Sequence, residues 1–264
     1  AADRALDTAD ELDPRGLSSL AWACATVSAV HKELFGAVAA RGSAAPHSFG
    51  PQDISNVLWA FAKVSVQARG CSDALLRSAG ERVCELTAQG LSNVLWACAV
   101  LRHAAALPQP HLGALPAQVL ERRAELAPQA LSNVAWALAT TACDGHRGAV
   151  GLLAEAARMR LREMRPQALS NLLLAVARCA CGSRGLLLGA ARSARTRLGE
   201  FSEQALANSA WALAVSGADA GAEGASFLRE AGAEMGSRLR CGRLPEGASP
   251  AAERTAAQHA VSVA

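Results

Sequence analysis

The chain has 264 residues and a formal net charge of only +3 at neutral pH, which is far from the strongly basic balance of a stand-alone nucleic-acid binder. It is rich in Ala and Leu, lacks Tyr and has few β-branched residues, so its composition favours helices over sheets. No run of about 18 apolar residues is free of charge, so we expect no membrane-spanning segment.

One twelve-residue pattern recurs along the chain and predicts its architecture. Its clearest copy is residues 51–62, PQDISNVLWAFA, and the Trp position of the pattern falls at residues 22, 59, 96, 136, 174 and 211. The spacings are therefore 37, 37, 40, 38 and 37 residues. A fixed period of this size is typical of stacked supersecondary units. We predict an all-α fold, a right-handed α-solenoid of helix-hairpin repeats.

In chain order, residues 1–13 are expected to be the end of a truncated preceding repeat, and residues 14–242 an array of about six helical-hairpin repeats. Residues 243–264 lack apolar periodicity and are expected to be a disordered tail or linker. The units begin at or near Pro14, Pro51, Ala88, Pro128, Pro166 and Glu203. Pro at the start suits a first helical turn. Loops are expected at residues 108–111 and 144–148.

Each unit is predicted to contain two different helices. The first is apolar nearly all round, as in Ile54, Leu58 and Phe61 on one side and Trp59 on the other, which is typical of a helix buried between neighbours. The second is amphipathic and should cover one side of the first. The inner helix should therefore carry most of the packing between repeats.

Metal binding and catalysis are not indicated. Cys24 and Cys98 occupy the repeat position that holds Phe61 elsewhere, where Cys acts as a small hydrophobic residue. Cys179 and Cys181 are close together but lack a second pair at zinc-ligand spacing, so we expect free thiols, no metal and no cofactor. The six His are scattered, and no phosphate loop or nucleophile–base set is present. We therefore expect no enzyme, no catalytic residues and no small-molecule substrate.

The repeated pattern Pro-Gln-x-Leu-Ser/Ala-Asn-x-Leu-Trp-Ala-x-Ala resembles the octotricopeptide repeats of organellar RNA-binding proteins. It is also similar to the helical repeats of FAST-kinase-like proteins and of a kinetoplastid RNA-editing substrate-binding subunit. The resemblance covers residues 14 to about 240, with Ser19 in place of the Asn and Leu174 in place of the Trp. It implies an α-solenoid that binds single-stranded RNA in a mitochondrion or plastid, for RNA processing, stability, editing or translation. Other proteins of an RNA-processing complex are further expected partners.

Positions that never vary between repeats report on stacking or on uniform contacts, whereas varied positions can encode sequence. A Gln four residues before an Asn recurs on one face of five first helices. Either each Asn bonds the backbone of the next unit and satisfies a buried polar group, or the Asn row contacts sugar, phosphate or base edges. The Asn candidates are Asn56, Asn93, Asn133, Asn171 and Asn208.

The position seven residues after the Asn varies, and it is the better candidate for reading bases. It holds Thr26, Lys63, Val100, Thr140, Arg178 and Val215, of which the Thr, Lys and Arg residues are candidate RNA contacts. The alternative is a tolerant surface position. Tryptophan is either a stacking platform for bases or part of the packing between repeats, and packing is favoured because large aromatic residues dominate core burial.

Arginines of the second helices are candidate phosphate contacts. Arg three residues before Glu recurs four times, and such a pair contributes only a few tenths of a kcal/mol on a helix surface. Residues 151–200 hold nine Arg and three acidic residues, the most basic window of the chain. The candidates are Arg82, Arg122, Arg158, Arg160, Arg162, Arg165, Arg192, Arg195 and Arg197. Candidate readers on first helices and candidate phosphate contacts on second helices need not share a surface.

Two functions are consistent with these patterns. The first is an RNA-binding module, supported by the resemblance, the varied position and the basic window. The second is a protein-binding α-solenoid scaffold, because helical solenoids also bind peptides on their extended surfaces. A scaffold should show apolar or acidic residues at the varied position and an RNA reader polar or basic ones, and the position here is mixed.

Overall fold

A computed structural model of the chain describes residues 12–102, 109–141, 143–217 and 220–240. These ranges contain twelve α-helices and no strand. The first helices of the pairs are α1 (Pro14–Thr26), α3 (Pro51–Lys63), α5 (Ala88–Leu101), α7 (Pro128–Thr141), α9 (Pro166–Arg178) and α11 (Glu203–Val215). The second helices are α2 (Lys32–Ala44), α4 (Arg69–Glu81), α6 (Gln109–Glu121), α8 (Cys143–Arg158), α10 (Arg184–Arg195) and α12 (Gly221–Arg240).

The first helices begin at the residues where the repeat pattern begins, because the same local chemistry starts each of them. Pro occupies the first turn of α1, α3 and α9, where its missing N–H costs no hydrogen bond. The residue before it is extended in all three, and in α1 it also caps the helix: the Asp13 carboxylate accepts from the Gly16 N–H at 2.7 Å. In α5, which lacks Pro, the Thr87 hydroxyl accepts from the Gly90 N–H at 3.0 Å.

A left-handed residue ends most of the first helices. Ser28, Ser65, Arg102 and Ala180 have φ between 45° and 58°, and Gly217 has φ 54° at the equivalent place. This conformation lets the following N–H reach back into the helix, as Cys181 N–H does to the Val176 carbonyl at 3.0 Å. The chain then turns into the second helix. Four of these residues carry a side chain in a region that favours glycine, which costs free energy.

The helices pack in two rows that follow chain order. Each first helix contacts the first helices before and after it, and each second helix contacts its equivalents in the same way. The contacts within a pair connect the two rows. A single cluster of buried side chains runs between them and includes Phe49, Leu58, Phe61, Leu75 and Leu173, each fully buried. The rows therefore hold first-helix side chains and second-helix side chains in separate layers.

Two local expectations are wrong. Residues 144–148 lie inside α8 and not in a loop, although residue 142 just before that helix lies outside the described ranges. Pro110 lies in the first turn of α6, a position that Pro tolerates, so the expected loop at 108–111 is already helical from Gln109. Most of the preceding-repeat segment 1–13 and all of the tail 243–264 lie outside the described residues.

Candidate nucleic-acid interface

Four positions of every first helix fall on one stripe, because they are spaced by four, three and four residues along the helix. In α3 they are Gln52, Asn56, Trp59 and Lys63. Since first helices pack side by side, the equivalent positions of the six helices form one continuous surface. We call this surface, made by the Gln, Asn, Trp and varied positions of the six first helices, the amide–tryptophan face.

The Gln and Asn of each repeat are hydrogen-bonded to each other within their own helix. Gln Nε2 donates to Asn Oδ1 at 2.8–3.0 Å in all five helices that carry the pair. The bond uses the Asn oxygen and one Gln hydrogen, so Asn Nδ2 remains a donor and Gln Oε1 an acceptor. Every Asn is partly exposed. Each of these repeats therefore presents the same pre-oriented amide pair on the face.

Among the described residues, no Asn of the row makes a hydrogen bond to the backbone of the next unit, which was one of its two expected roles. The buried Ser one residue earlier bonds the next repeat in two places: Ser18 Oγ donates to Asp53 Oδ1 at 2.7 Å, and Ser92 Oγ donates to the Ala130 carbonyl at 3.5 Å. In α3 and α7 the equivalent Ser donates instead to the Gln carbonyl of its own helix, at 2.9 Å. A small hydroxyl fits between closely packed helices where an amide does not. The recurring Asn is therefore available to a ligand, whereas the Ser, fully buried in every repeat that carries it, belongs to the packing.

The tryptophans pack between repeats and are also accessible. The rings of Trp22 and Trp59 lie 6.2 Å apart between centroids, which confirms packing between repeats for that pair. Trp22 and Trp211 are 45% and 41% exposed, Trp59 and Trp96 are partly exposed, and Trp136 is 9% exposed. Four of the five tryptophans thus lie at the rim of the core, whereas Trp136 lies inside it. An aromatic surface in this position can both pack and stack.

The varied position lies in the last turn of each first helix and is open to solvent in most repeats. Thr26, Lys63, Arg178 and Val215 are exposed, and Val100 and Thr140 are partly exposed. Thr140 does not fit its expected role as an RNA contact, because its Oγ1 is buried and has no hydrogen-bond partner among the described residues. Thr26 Oγ1 donates to the Trp22 carbonyl at 2.8 Å. Lys63 and Arg178 make no ion pair or hydrogen bond with the described residues. Their charged groups are therefore free to meet an anion.

The amide–tryptophan face carries cations and amides but no carboxylate. None of its positions in the six helices holds Asp or Glu, while Arg15, Lys63 and Arg178 are cationic. Exposed amides and aromatic rings offer hydrogen bonds and stacking to nucleic-acid bases, and the cations attract phosphate. The face thus combines the three contact types that single-stranded RNA requires.

The repeated arginines of the second-helix layer have a structural role. Nη1 of each donates to the carbonyl of a buried residue in the preceding repeat, at 2.6–2.9 Å. The pairs are Arg82 with Phe49, Arg122 with Leu86, Arg160 with Leu126, Arg197 with Met164, and Arg238 with Phe201. We call these five the inter-repeat arginines. Each bridges two repeats and satisfies a carbonyl of the turn before the next first helix.

The Glu three residues later completes the first three bridges. Arg82 and Arg122 each form a paired contact with their Glu, and these hydrogen bonds lower the pKa of Glu85 and Glu125. Arg160 bonds Glu163 in the same way, at 2.9 Å. A guanidinium that already donates to a carbonyl and a carboxylate has fewer donors left for phosphate. Phosphate contact by these residues stays a prediction, which their structural bonds make less favourable.

The remaining candidate arginines divide into paired and unpaired groups. Arg192 and Arg195 form ion pairs with Glu223, at 3.0 and 2.7 Å, and Arg195 also pairs with Glu230 at 2.6 Å, so they join α10 to α12. Arg158 pairs with Glu155 in its own helix. Arg162 and Arg165 are exposed and make no such contact with the described residues.

Sequence reasoning missed the inter-repeat role of these arginines and did not single out Arg238. A signal was present: an apolar residue stands two positions before every first helix, and its carbonyl is the acceptor. The Gln row was also noted as constant without being assigned to the site. Its bond to the Asn shows that the two amides act as one unit.

No helix in the described ranges is long and apolar enough to cross a membrane. Within the same residues, no group of three or more His, Cys, Asp and Glu side chains could hold a metal ion. Burial raises the pKa of the Cys71 thiol to about 12 and that of Cys98 to about 11.

The fold and the face together define an all-helical protein built from repeated helix pairs. Residues 18–179, more than half of the chain, match the family described as Tbc2 translation factor, N-terminal domain. The chain belongs to this family. A search of curated proteins gives no match. The matched range ends one residue after α9, yet the Gln204–Asn208 bond and the Arg238–Phe201 bond continue the repeat beyond it.

Proposed function

We propose that this protein is a single-stranded RNA-binding helical-repeat protein that acts in organellar translation, and that the amide–tryptophan face is its RNA-binding surface. The observation that carries the proposal is the face itself, with an oriented amide pair in five repeats, an accessible tryptophan in four, and no carboxylate at its positions. The family name, which describes a translation factor, supports the choice of translation among the steps of RNA metabolism. Whether the organelle is a mitochondrion or a plastid is tested by imaging the tagged full-length protein.

The Gln–Asn pair and the varied position of the amide–tryptophan face have different roles in this proposal. The Gln–Asn pair is identical in five repeats, so it contacts features that every nucleotide shares. The varied position differs between repeats, so it supplies the base preference. Lys63 and Arg178 favour phosphate or guanine, and Thr26 offers a hydroxyl oxygen, whereas the buried Thr140 hydroxyl takes no part in the proposal. Five or six repeats then engage about as many nucleotides.

We further propose that the array is a right-handed α-solenoid; the row-by-row packing supports the solenoid, and the handedness stays a prediction. Each helix contacts its equivalents in the repeats before and after, which is the arrangement that such a superhelix requires. An experimental structure of the chain, or small-angle scattering compared with left- and right-handed arrangements, tests the handedness and the pitch.

The test uses a random single-stranded RNA pool and two variants of the face. The variant Trp22→Leu/Trp211→Leu removes the two most exposed rings, and Leu174 shows that this chain accepts Leu at the same position. Stacking contributes about 1–3 kcal/mol per base, so we expect a loss of affinity of at least about fivefold for each ring. The variant Lys63→Gln/Arg178→Gln should weaken binding and reduce its salt dependence.

A control keeps the charge change but moves it off the face. Arg69→Gln/Arg77→Gln alters two exposed residues of α4 in the second-helix layer. It should bind RNA as tightly as the unaltered chain. Equal affinity of the face variants and the control would contradict the assignment of the face. No RNA binding at low salt would favour the protein-scaffold function, for which the exposed Trp22, Val27 and Val215 are the first surface to test.

A further inference from the structure

A second basic feature lies in the other layer, in a groove between the end of α8 and α10. The groove has a volume of about 560 Å³ and is half open to solvent. Arg158, Arg160 and Arg162 line one side, and Arg192 and Arg197 line the other. Gly189 forms part of its wall, where an added Cβ would lie only 3.0 Å from Leu161 Cδ1. Because Gly189 has no side chain, α10 can lie close to Leu161 without filling the groove.

The positive charge of the groove exceeds what its carboxylates neutralise. Its lining contains five Arg and one acidic residue, Glu163, which already forms an ion pair with Arg160. Arg158 and Arg192 have partners on α8 and α12. Among the described residues, Arg162 and Arg197 have no carboxylate partner. Two uncompensated guanidinium groups thus face one concave surface.

Arg197 departs from the other inter-repeat arginines in a way that points to an external anion. Arg82, Arg122 and Arg160 each bond the Glu three residues later. Arg197 has Glu200 at the same spacing, yet its Nε and Nη2 donate to the Ser193 carbonyl and to Ser193 Oγ, at 3.3 and 3.2 Å. Its charge is therefore fixed in position by neutral acceptors and is not cancelled.

We propose that this groove binds phosphate groups of an RNA backbone, as a second contact surface on the layer opposite the amide–tryptophan face. The proposal rests on the RNA-binding function proposed above. Guanidinium groups match phosphate in charge and in hydrogen-bond geometry. The exposed Met159 at the lip, 78% accessible, offers an apolar contact to a sugar or base. The surfaces lie in separate layers, so one short RNA segment fills the face and a flanking segment reaches the groove.

The two surfaces can be separated by RNA length. The groove variant is Arg158→Gln/Arg162→Gln, since both side chains are exposed and neither is an inter-repeat arginine. Arg69→Gln/Arg77→Gln is the matched control with the same charge change in the same layer. Affinity is measured across a salt titration for a short RNA that spans the six repeats and for an RNA several times longer.

We expect the groove variant to bind the short RNA normally and the long RNA more weakly. For the long RNA, the slope of log Kobs against log salt should fall by about 0.7 for the unpaired Arg162, and by about 1.4 where Arg158 also exchanges Glu155 for a phosphate, because each lost contact on a single strand contributes about 0.7. The control should change neither quantity. Equal effects of the groove variant on both lengths, or an effect no larger than that of the control, would overturn the proposal.

Failure of the groove and failure of the proposed function give different results. If no RNA binds to any form, the proposed function fails, and with it the RNA backbone as the source of the phosphate. Titration with inorganic pyrophosphate, monitored by the NMR signals of Arg side chains, then identifies the chemistry directly. If pyrophosphate binds and the groove variant abolishes that binding, the ligand of the groove is a small phosphate compound and not RNA. Binding of poly-glutamate that the groove variant abolishes, without a response to pyrophosphate, would overturn phosphate in favour of an acidic peptide.

Discussion

The bridge between Arg160 and the preceding repeat gives the sharpest stability test. We predict that Arg160→Met, which keeps an apolar stem and removes every donor, destabilises the array. Arg160 Nη1 donates to the carbonyl of Leu126, a residue that is 2% exposed, at 2.9 Å. A hydrogen bond from a charged group contributes about 1.5–3 kcal/mol. The Arg160 side chain is 36% exposed, so the lower half of that range applies, and we expect a loss of about 2 kcal/mol.

Two controls separate this bond from its neighbours. Glu163→Gln removes the ion pair at 2.9 Å but leaves the bond to Leu126, and should cost only about 0.3 kcal/mol, as expected for an exposed pair on one helix. Arg162→Met makes the same chemical change two residues away, at an exposed side chain. It should leave the free energy of unfolding within about 0.5 kcal/mol of the unaltered chain.

The assay is urea unfolding followed by far-UV circular dichroism, together with native-state hydrogen exchange. Exchange is needed because repeat arrays can open locally and depart from two-state unfolding. Arg160→Met should speed exchange most at the start of α7 and in the turn before it, where Leu126 lies. If Arg160→Met costs no more than Glu163→Gln, the carbonyl bond does not hold the repeats together, and the inter-repeat role is refuted.

Four further predictions test other parts of the structure. Leu174→Trp restores the missing ring of the amide–tryptophan face and should tighten RNA binding by about 1 kcal/mol with little change in urea midpoint; weaker binding would contradict a stacking role. Ala180→Gly relieves a left-handed residue with φ 45° and should raise the free energy of unfolding by about 1 kcal/mol, whereas an unchanged urea midpoint would argue against strain there. Iodoacetamide should label the exposed Cys84 in the folded protein and spare the buried Cys71, whose pKa burial raises to about 12; equal labelling would show that the repeat opens. Hydrogen bonds from two arginines of α10 lower the pKa of Glu223, so its contribution to the docking of α12 should be present above the ordinary pKa of 4.5 and lost as the pH falls through the lowered value; faster hydrogen exchange of α12 at low pH would reveal it, and exchange independent of pH would argue against it.

The repeat pattern predicts the helix pairs because it contains the signals that start a helix. Pro14, Pro51 and Pro166 stand at the first turns that the structure shows, and the following apolar positions form the core. The loop expected at 144–148 was wrong because two glycines suggested a turn, whereas packing of α8 against α7 keeps the segment helical. Glycine weakens a helix by only about 1 kcal/mol, which such contacts can outweigh.

The candidate site was harder to predict, because a constant residue has the same appearance in a sequence whether it packs or binds. Spacing placed Gln52 and Asn56 on one face but could not show that they bond each other. Spacing also paired Arg160 with Glu163 without revealing the Leu126 carbonyl, since that contact joins residues 34 positions apart. Only the packing of neighbouring repeats separates the arginines that hold the array from those free to meet a ligand.

The inter-repeat arginines also give the array a direction. Each guanidinium follows its acceptor carbonyl by 33 to 37 residues, so the acceptor always leaves the ribosome first. A nascent repeat is therefore incomplete until the next one has emerged, and we expect the protein to gain protease resistance in steps of one repeat as synthesis proceeds. Arrested chains that end just before and just after Arg160 should differ in the protection of the turn at Leu126. Protection that appears in all repeats at once, or first in the C-terminal repeats, would be inconsistent with stepwise docking during translation.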